Sequence, residues 1–199
     1  MKVPQKSQIR LLQWNCRSIS TNLAFLKHFL QSHLCEVLIL QSLNTTSTKL
    51  PRLPNYYHPP VYEVGNSGKK ISTAIYILKE LQYNVHINSV LKTYQDIHAC
   101  AATVKFSNAL TLNVMSVYLP KGPNDQNTEW LRTISDQQRG KWVIGGDFNA
   151  HSPFWEKDCS NITSNRFVEN TVDSSFFLLN DGTVTRIPDV STHRPQRLI

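Results

Sequence analysis

The 199-residue chain has no apolar stretch that approaches the roughly 20 residues a helix needs to cross a bilayer, so no segment reads as membrane-spanning. Lys2 and Lys6 could open a secretory leader, but Ile9–Trp14 is too short for its apolar region, and the protein is read as intracellular. Cysteine is sparse and scattered. Cys16, Cys35, Cys100 and Cys159 form no CxxC pair and have no neighbouring histidine at metal spacing, which points to reduced thiols rather than a disulfide framework or a zinc site. Neither the glycine fingerprint of a dinucleotide fold nor a phosphate loop occurs, so no small-molecule cofactor is expected. Basic runs stop at Lys69-Lys70, which excludes a basic tail. Acid is scarcest in the first half. Residues 1–100 hold only Glu36, Glu63, Glu80 and Asp96 against 11 Lys+Arg, so the whole net charge of +7 lies there. That balance favours a polyanionic partner such as nucleic acid, and is equally compatible with plain solubility.

What is present suits one domain over residues 1–199, since 40% apolar and 10% aromatic residues can fill a sizeable core. Ile9–Asn15 reads as a buried strand, and a helix comes next with Ser20 or Thr21 as cap and Leu23, Leu26, Leu30 and Leu34 at helical spacing. Val37–Leu40 is apolar throughout, as in a strand covered on both faces. Prolines between Pro51 and Pro60 exclude regular structure there. Strands are expected at Ile71–Ile77, about 82–90, Ile97–Phe106 and Leu110–Leu119. Pro123-Asn124 opens a second helix bearing Trp130, Leu131 and Ile134, and Trp142–Phe148 is a further strand. A third helix at about Asn165–Ser175 buries Phe167, Val168 and Val172, ahead of a short strand at Phe176–Leu179. Strand-helix-strand at both ends with strands between them implies an α/β layered sandwich of two β-sheets flanked by helices.

The segment richest in chemistry is Trp142-Val143-Ile144-Gly145-Gly146-Asp147-Phe148-Asn149-Ala150-His151. An apolar strand ends in two glycines and then offers a carboxylate, a carboxamide and an imidazole. If the strand continues, Asp147 and Asn149 point the same way and can address one ligand. Such a pair suits a phosphate hydrolase, the acid orienting water or holding Mg²⁺ and the amide donating to a phosphate oxygen. A plain Gly-Asp turn closed by an Asx bond fits the same string.

Taken with other motifs in order, this string resembles the endonuclease/exonuclease/phosphatase superfamily, and within it the apurinic-type endonuclease domain of arthropod non-LTR retrotransposons. Leu12-Gln13-Trp14-Asn15 is similar to the first strand of that family, and Val37–Gln41 to the second. Ser116-Val117-Tyr118-Leu119-Pro120 is similar to the strand whose tyrosine contacts the scissile phosphate. Gly146–His151 with Pro153 and Trp155 resembles the family's most specific motif, and Asn165-Arg166, Leu179–Gly182 and Thr185-Arg186 resemble the stretch on its C-terminal side. The resemblance implies a DNase I-like fold and a phosphodiesterase that nicks DNA with Mg²⁺ or Mn²⁺. It implies Asp147, Asn149 and Tyr118 as catalytic residues, and Asn15, Asn149 and Tyr118 around the phosphate. Asn15 and Asp147 would be metal donors. DNA is the implied partner, the nucleus the implied place, and a reverse transcriptase the companion domain of the parent element.

Two departures mark this chain. Where the family has Gln followed by the metal-binding Glu, Gln41 is followed by Ser42, a neutral and weak ligand for a hard cation. Glu36 lies six residues earlier, about 20 Å along an extended strand, and cannot replace it. The chain also stops at His193-Arg194-Pro195-Gln196-Arg197-Leu198-Ile199 without the family's terminal Asp-His motif. These departures imply a C-terminally truncated domain, its last strands missing, with a metal held weakly if at all. They leave two readings, an impaired endonuclease and a non-catalytic nucleic-acid-binding fragment on the same scaffold.

Overall fold

Two four-stranded sheets stacked through a shared apolar layer account for the unbroken Val37–Leu40 run. The computed structural model describes residues 8–64, 70–86, 96–124, 129–137, 140–152, 162–174 and 176–179. They divide into two compact units. The first holds residues 8–86, 98–118 and 140–146, and the second holds 96–97, 119–137 and the described residues from 147 onward.

In the first unit, β1 (Leu11–Asn15) leads into α1 (Ile19–Ser32) and then β2 (Val37–Thr45). A 3-10 turn at Ser47–Lys49 precedes β3 (Val61–Val64) and β4 (Ile71–Ile77). These strands form a sheet in the order β1-β2-β4-β3, with β1 parallel to β2 and the other pairs antiparallel. The second sheet, in the order β5-β6-β7-β8, comprises β5 (Gln82–His86), β6 (His98–Lys105), β7 (Thr111–Tyr118) and β8 (Trp142–Asp147). Antiparallel ladders join β5 to β6 and β6 to β7. β8 runs alongside β7 in the same sense, with Asn113 N donating to Lys141 O (2.8 Å) and Leu119 N to Asp147 O (2.9 Å).

Alternation along β2 decides both layers. Val37 and Ile39 of β2, with Ile75 and Ile77 of β4, face the second sheet, whose Cys100, Ala102, Val104 and Val114 complete the inter-sheet core. Leu38 and Leu40 face the other way, against Ile19 and Leu26 of α1 with Ala74 and Tyr76. Each such fully buried Leu or Ile contributes about 2 kcal/mol of transfer free energy. Cys16, Cys35 and Cys100 are buried free thiols.

The second unit contains α2 (Trp130–Gln137) and α3 (Ile162–Asp173). Its core is an aromatic row in which Phe148 stands between Trp130 (ring centroids 6.4 Å, interplanar 7°) and Phe167 (5.2 Å, 40°).

Several local expectations need correction. The first helix starts at Ile19 with Ser18 at the cap position and no side-chain cap hydrogen bond, so neither Ser20 nor Thr21 caps it. Leu34 falls beyond the helix end and is exposed. The second helix begins at Trp130, and Pro123-Asn124 lies in irregular chain after a turn in which Gly122 N donates to Leu119 O. In α3, Phe167 and Thr171 share the buried face, and Val172, about 100° further round, is exposed. Phe176–Leu179 is not a strand: Phe176 N closes the helix end on Thr171 O, and Phe177 and Leu179 are 91% and 87% exposed. β3 was not anticipated, and β2 runs five residues further than its apolar core. Motif positions Pro153, Trp155, Asn180–Gly182, Thr185, Arg186 and the final His193 lie outside the described residues. Among the described residues, no helix is long and apolar enough to cross a membrane.

Candidate functional site

Parallel pairing brings Asn15, the last residue of β1, level with Gln41 of β2. The chain then reverses into α1 through Arg17 (φ 48°) and Ser18 (φ 143°). Asn22 Nδ2 donates to Cys16 O (2.8 Å), and Arg17 N donates to Asn15 Oδ1 (3.2 Å), so the Asn15 amide oxygen takes part in closing this turn. Asn15 is half-buried.

Gln41 is fully buried between the sheets, and both ends of its amide are engaged. Its Oε1 accepts from Gln13 Nε2 (2.7 Å), and its Nε2 donates to Ser116 Oγ (2.9 Å). Ser116 Oγ in turn donates to Leu40 O (3.0 Å), while Gln13 Nε2 also reaches Gly146 O (3.4 Å). The network is neutral and joins β1, β2, β7 and β8. A buried amide with unpaired ends would cost several kcal/mol, so each member depends on the others.

Regular alternation in β2 ends just past Gln41. Residues 42–44 stand against the single residue Ser72 between the pairs Gln41↔Thr73 and Thr45↔Ile71, and both Ser42 (φ 53°) and Asn44 (φ 51°) adopt the left-handed region. This is a bulge in which Ser42 is half-buried, and each left-handed non-glycine residue costs about 1 kcal/mol. The position that the resemblance gives to a metal-binding glutamate therefore holds a neutral hydroxyl on an irregular strand.

A hard dication prefers several anionic oxygens. In this unit Asn15 offers a neutral amide, Ser42 a neutral hydroxyl, and Gln41 an amide already engaged. Glu36, just before β2, is buried and accepts from Arg10 N (2.8 Å); Glu63 lies on β3 and Glu80 in the turn after β4. No group of three or more His, Cys, Asp or Glu gathers as a metal site among the described residues. The described donors of this unit do not by themselves make a Mg²⁺ centre.

Tyr118 ends β7, half-buried and level with His98 of β6; their rings lie 6.0 Å apart at 33°. Alongside, β8 approaches β7 so closely that a Cβ on Gly146 would stand 2.5 Å from Val117 O, which only glycine avoids.

Asp147 opens the second unit's part of the motif and is buried. Its Oδ1 accepts from Asn149 N (3.4 Å), an Asx-type turn of the kind the Gly-Asp string also allowed. β8 stops at Asp147, and Asn149 takes a left-handed φ of 46°. Strand alternation is thus not what relates the two side chains. Asn149 Nδ2 donates to Leu119 O (2.8 Å), and Gly122 (φ +72°) passes so near that a Cβ there would stand 2.7 Å from Asn149 O. His151 N donates to Ser164 Oγ (2.9 Å) and Ser152 Oγ to Asn165 Oδ1 (3.3 Å), tying the motif to α3. His151 itself is exposed.

Sequence reasoning overlooked Gln13 and Ser116 as partners of Gln41, and His98 as the neighbour of Tyr118. A polar residue at every second place of an otherwise apolar strand (Gln13 and Asn15) was the available signal for the first.

Known proteins are similar to this chain in sequence and in fold. Residues 112–197 match the profile of the family described as endonuclease-reverse transcriptase. The probable RNA-directed DNA polymerase from transposon BS of Drosophila melanogaster is 22% identical over 189 residues, covering 94% of this chain and 20% of that protein. Its counterpart from the X-element of the same organism is 23% identical over 181 residues, covering 90% and 19%. The chain therefore spans about a fifth of the length of the curated relatives it matches. Among solved structures, the endonuclease domain of TRAS1, a telomere-specific non-LTR retrotransposon, superposes with a TM-score of 0.68 at 15% identity, over 90% of this chain and 77% of that one. An AP endonuclease from Archaeoglobus fulgidus gives 0.54 at 16% identity, over 83% and 70%.

Proposed function

We propose, from the premise that the chain has the fold of the endonuclease/exonuclease/phosphatase superfamily and is similar to its retrotransposon endonucleases, that it is a DNA-binding descendant of a phosphodiester hydrolase whose own turnover is absent or strongly impaired. Its origin is an element that encodes an RNA-directed DNA polymerase beside the nuclease, and its residues form one domain acting on nuclear DNA. Within the ancestral chemistry, Asp147 orients the attacking water, while Asn15, Tyr118 and Asn149 hold the scissile phosphate. Asn15 and Asp147 are the metal-donor positions that remain filled, too few and too neutral to hold Mg²⁺ or Mn²⁺ tightly. Without a cation to offset charge developing on the phosphoryl oxygens, the largest electrostatic contribution to such a reaction is missing.

The observation that carries this reading is the bulge in β2, where neutral Ser42 follows a Gln41 amide spent on Gln13 and Ser116. The DNA half of the proposal draws on charge: the described part of the first unit has nine Lys and Arg against three Glu. Phosphate contacts of that kind give retention that weakens steeply with salt and depends little on sequence. The test pairs two measurements on the whole chain. DNA retention across a salt series is expected to be salt-sensitive, and Ser42→Glu is expected to raise Mg²⁺-dependent plasmid nicking above the native level. Salt-insensitive or absent retention overturns the DNA half. Nicking by the native protein at the level of an intact endonuclease overturns the other.

A further inference from the structure

His98 and Tyr118 form the last pair of the ladder between β6 and β7, His98 as the first residue of β6 and Tyr118 as the last of β7. Alternation fixes the face on which they stand. Ala102 and Val114 are paired in the inter-sheet core, and Cys100 comes next on that face, level with Ser116, whose Oγ accepts from Gln41 Nε2. His98 and Tyr118 are the following pair on the same face. They lie past the polar network, at the end where β1 stops at Asn15 and β2 breaks into its bulge. All of these residues belong to the first unit.

The two rings differ in how they are held. His98 is 8% exposed, whereas Tyr118 is half-buried. Their centroids lie 6.0 Å apart at 33°, within the range over which ring pairs attract. The ladder ends with this pair, so His98 is the cross-strand neighbour that β6 offers the Tyr118 ring. The hydroxyl is placed differently from those of the core tyrosines. Tyr56, Tyr57 and Tyr76, packed in or against the cores of this unit, each donate to a backbone carbonyl: Cys35 O (2.7 Å), Lys79 O (3.0 Å) and Pro51 O (3.0 Å). Among the described residues nothing bonds to the Tyr118 hydroxyl, and its oxygen is not sealed from water. A tyrosine with a gripped ring and an uncommitted hydroxyl has a donor to offer a ligand, and a charged acceptor such as a phosphate oxygen makes the strongest bond with it.

We propose that His98 is a positioning residue of the candidate site: its ring is the wall that fixes the Tyr118 ring, so that the free hydroxyl meets a DNA phosphate already oriented. The inference rests on the DNA-binding reading above, with Tyr118 at the phosphate, and adds the group through which that contact is set. The gain is one of preorganisation, since a side chain held in its binding rotamer has less freedom to lose when the ligand arrives. His98 acts only through Tyr118, which separates it from a residue that merely closes the end of the sandwich.

A double-mutant cycle, read by fluorescence anisotropy with a labelled DNA duplex, tests this on the full chain. Tyr118→Phe removes only the hydroxyl and is expected to weaken duplex binding about tenfold. His98→Gln keeps a polar side chain and loses the ring. It is expected to weaken binding about threefold or more in the native background, and to have no further effect beside Tyr118→Phe. His98→Phe keeps a ring and is expected to retain most of the native affinity. Fluorotyrosine labelling reads the ring itself by ¹⁹F NMR, the Tyr118 line being identified by its loss in Tyr118→Phe. That line is expected to shift or broaden in His98→Gln while the other tyrosine lines stay in place, which also shows that the variant is folded. An unmoved Tyr118 line, an equal loss of affinity in both backgrounds, or a Tyr118→Phe chain that binds like the native one overturns the inference and leaves the DNA-binding reading standing. Collapse of every tyrosine line in His98→Gln makes His98 a residue of the core and also overturns it. No salt-sensitive duplex binding by the native chain overturns both readings.

Discussion

Replacing Gln41 by leucine removes the centre of the polar network between the sheets while nearly conserving side-chain volume. In the native chain Gln13 Nε2 has Gln41 Oε1 at 2.7 Å and Gly146 O at a much weaker 3.4 Å. Ser116 Oγ accepts from Gln41 Nε2 and donates to Leu40 O. After the substitution Ser116 keeps its carbonyl acceptor, but Gln13 Nε2 retains only the long contact. Stranding the donor of half-buried Gln13 costs about 1–2 kcal/mol and losing the Gln41–Ser116 hydrogen bond about 1 more, and the added apolar surface offsets part of this, so the expected net loss is about 2 kcal/mol. For a chain of this length that lowers the midpoint of thermal unfolding by about 4–8 °C. Urea unfolding measures the same loss as a lower midpoint with unchanged slope. Adding Gln13→Leu removes the stranded donor itself, so the double variant is expected to recover about 1 kcal/mol relative to the sum of the single losses. A Gln41→Leu protein as stable as the native one, or strict additivity with Gln13→Leu, refutes the claim that the network is mutually dependent.

Packing and burial give two further outcomes. Gly146→Ala places a Cβ 2.5 Å from Val117 O, a backbone atom with little room to give, and is expected to cost about 1–3 kcal/mol in urea unfolding; no change would mean that β8 does not press on β7 there. Burial pushes the Cys16 thiol from its ordinary 9.0 up to about 11, so the folded chain keeps a proton that the unfolded chain releases. Its contribution is complete below pH 9 and fades as pH rises toward 11, a change of about 3 kcal/mol at most. The urea midpoint is accordingly expected to fall between those pH values more steeply in the native chain than in Cys16→Ala, and equal slopes would contradict it.

The legible parts of the fold are those where one residue pattern has one physical outcome. Val37–Leu40 is apolar at every position because core lies on both faces of β2, and that pattern is visible in the string itself. Leu23, Leu26 and Leu30 mark the inner face of α1 for the same reason. Its start was not legible, because the turn through Arg17 and Ser18 is closed by Asn22 and backbone groups rather than by a capping hydroxyl. The four residues of β3 carry too little pattern of their own, and their ladder with β4 supplies what local sequence does not. Phe176–Leu179 shows the converse, since apolar residues make a strand only where a ladder takes them up.

At the candidate site, the string Gly146–Asn149 stands out by composition, and a neutral Ser42 after Gln41 is plain in the string. What could not be read was the backbone beneath it. The bulge at residues 42–44 arises from pairing with β4, some thirty residues away, and Gln13, Gln41 and Ser116 meet only because three strands converge. The left-handed turn at Asn149, which commits its amide to Leu119 O, likewise depends on the return of a distant segment.

Supercoiled-plasmid nicking in Mg²⁺ bears most directly on the central claim, with the native chain, Ser42→Glu and Asp147→Ala compared at equal concentration. The account predicts a native protein that binds the plasmid yet leaves it supercoiled, with nicking raised in Ser42→Glu and no further loss in Asp147→Ala. Efficient nicking by the native chain that disappears in Asp147→Ala would contradict it.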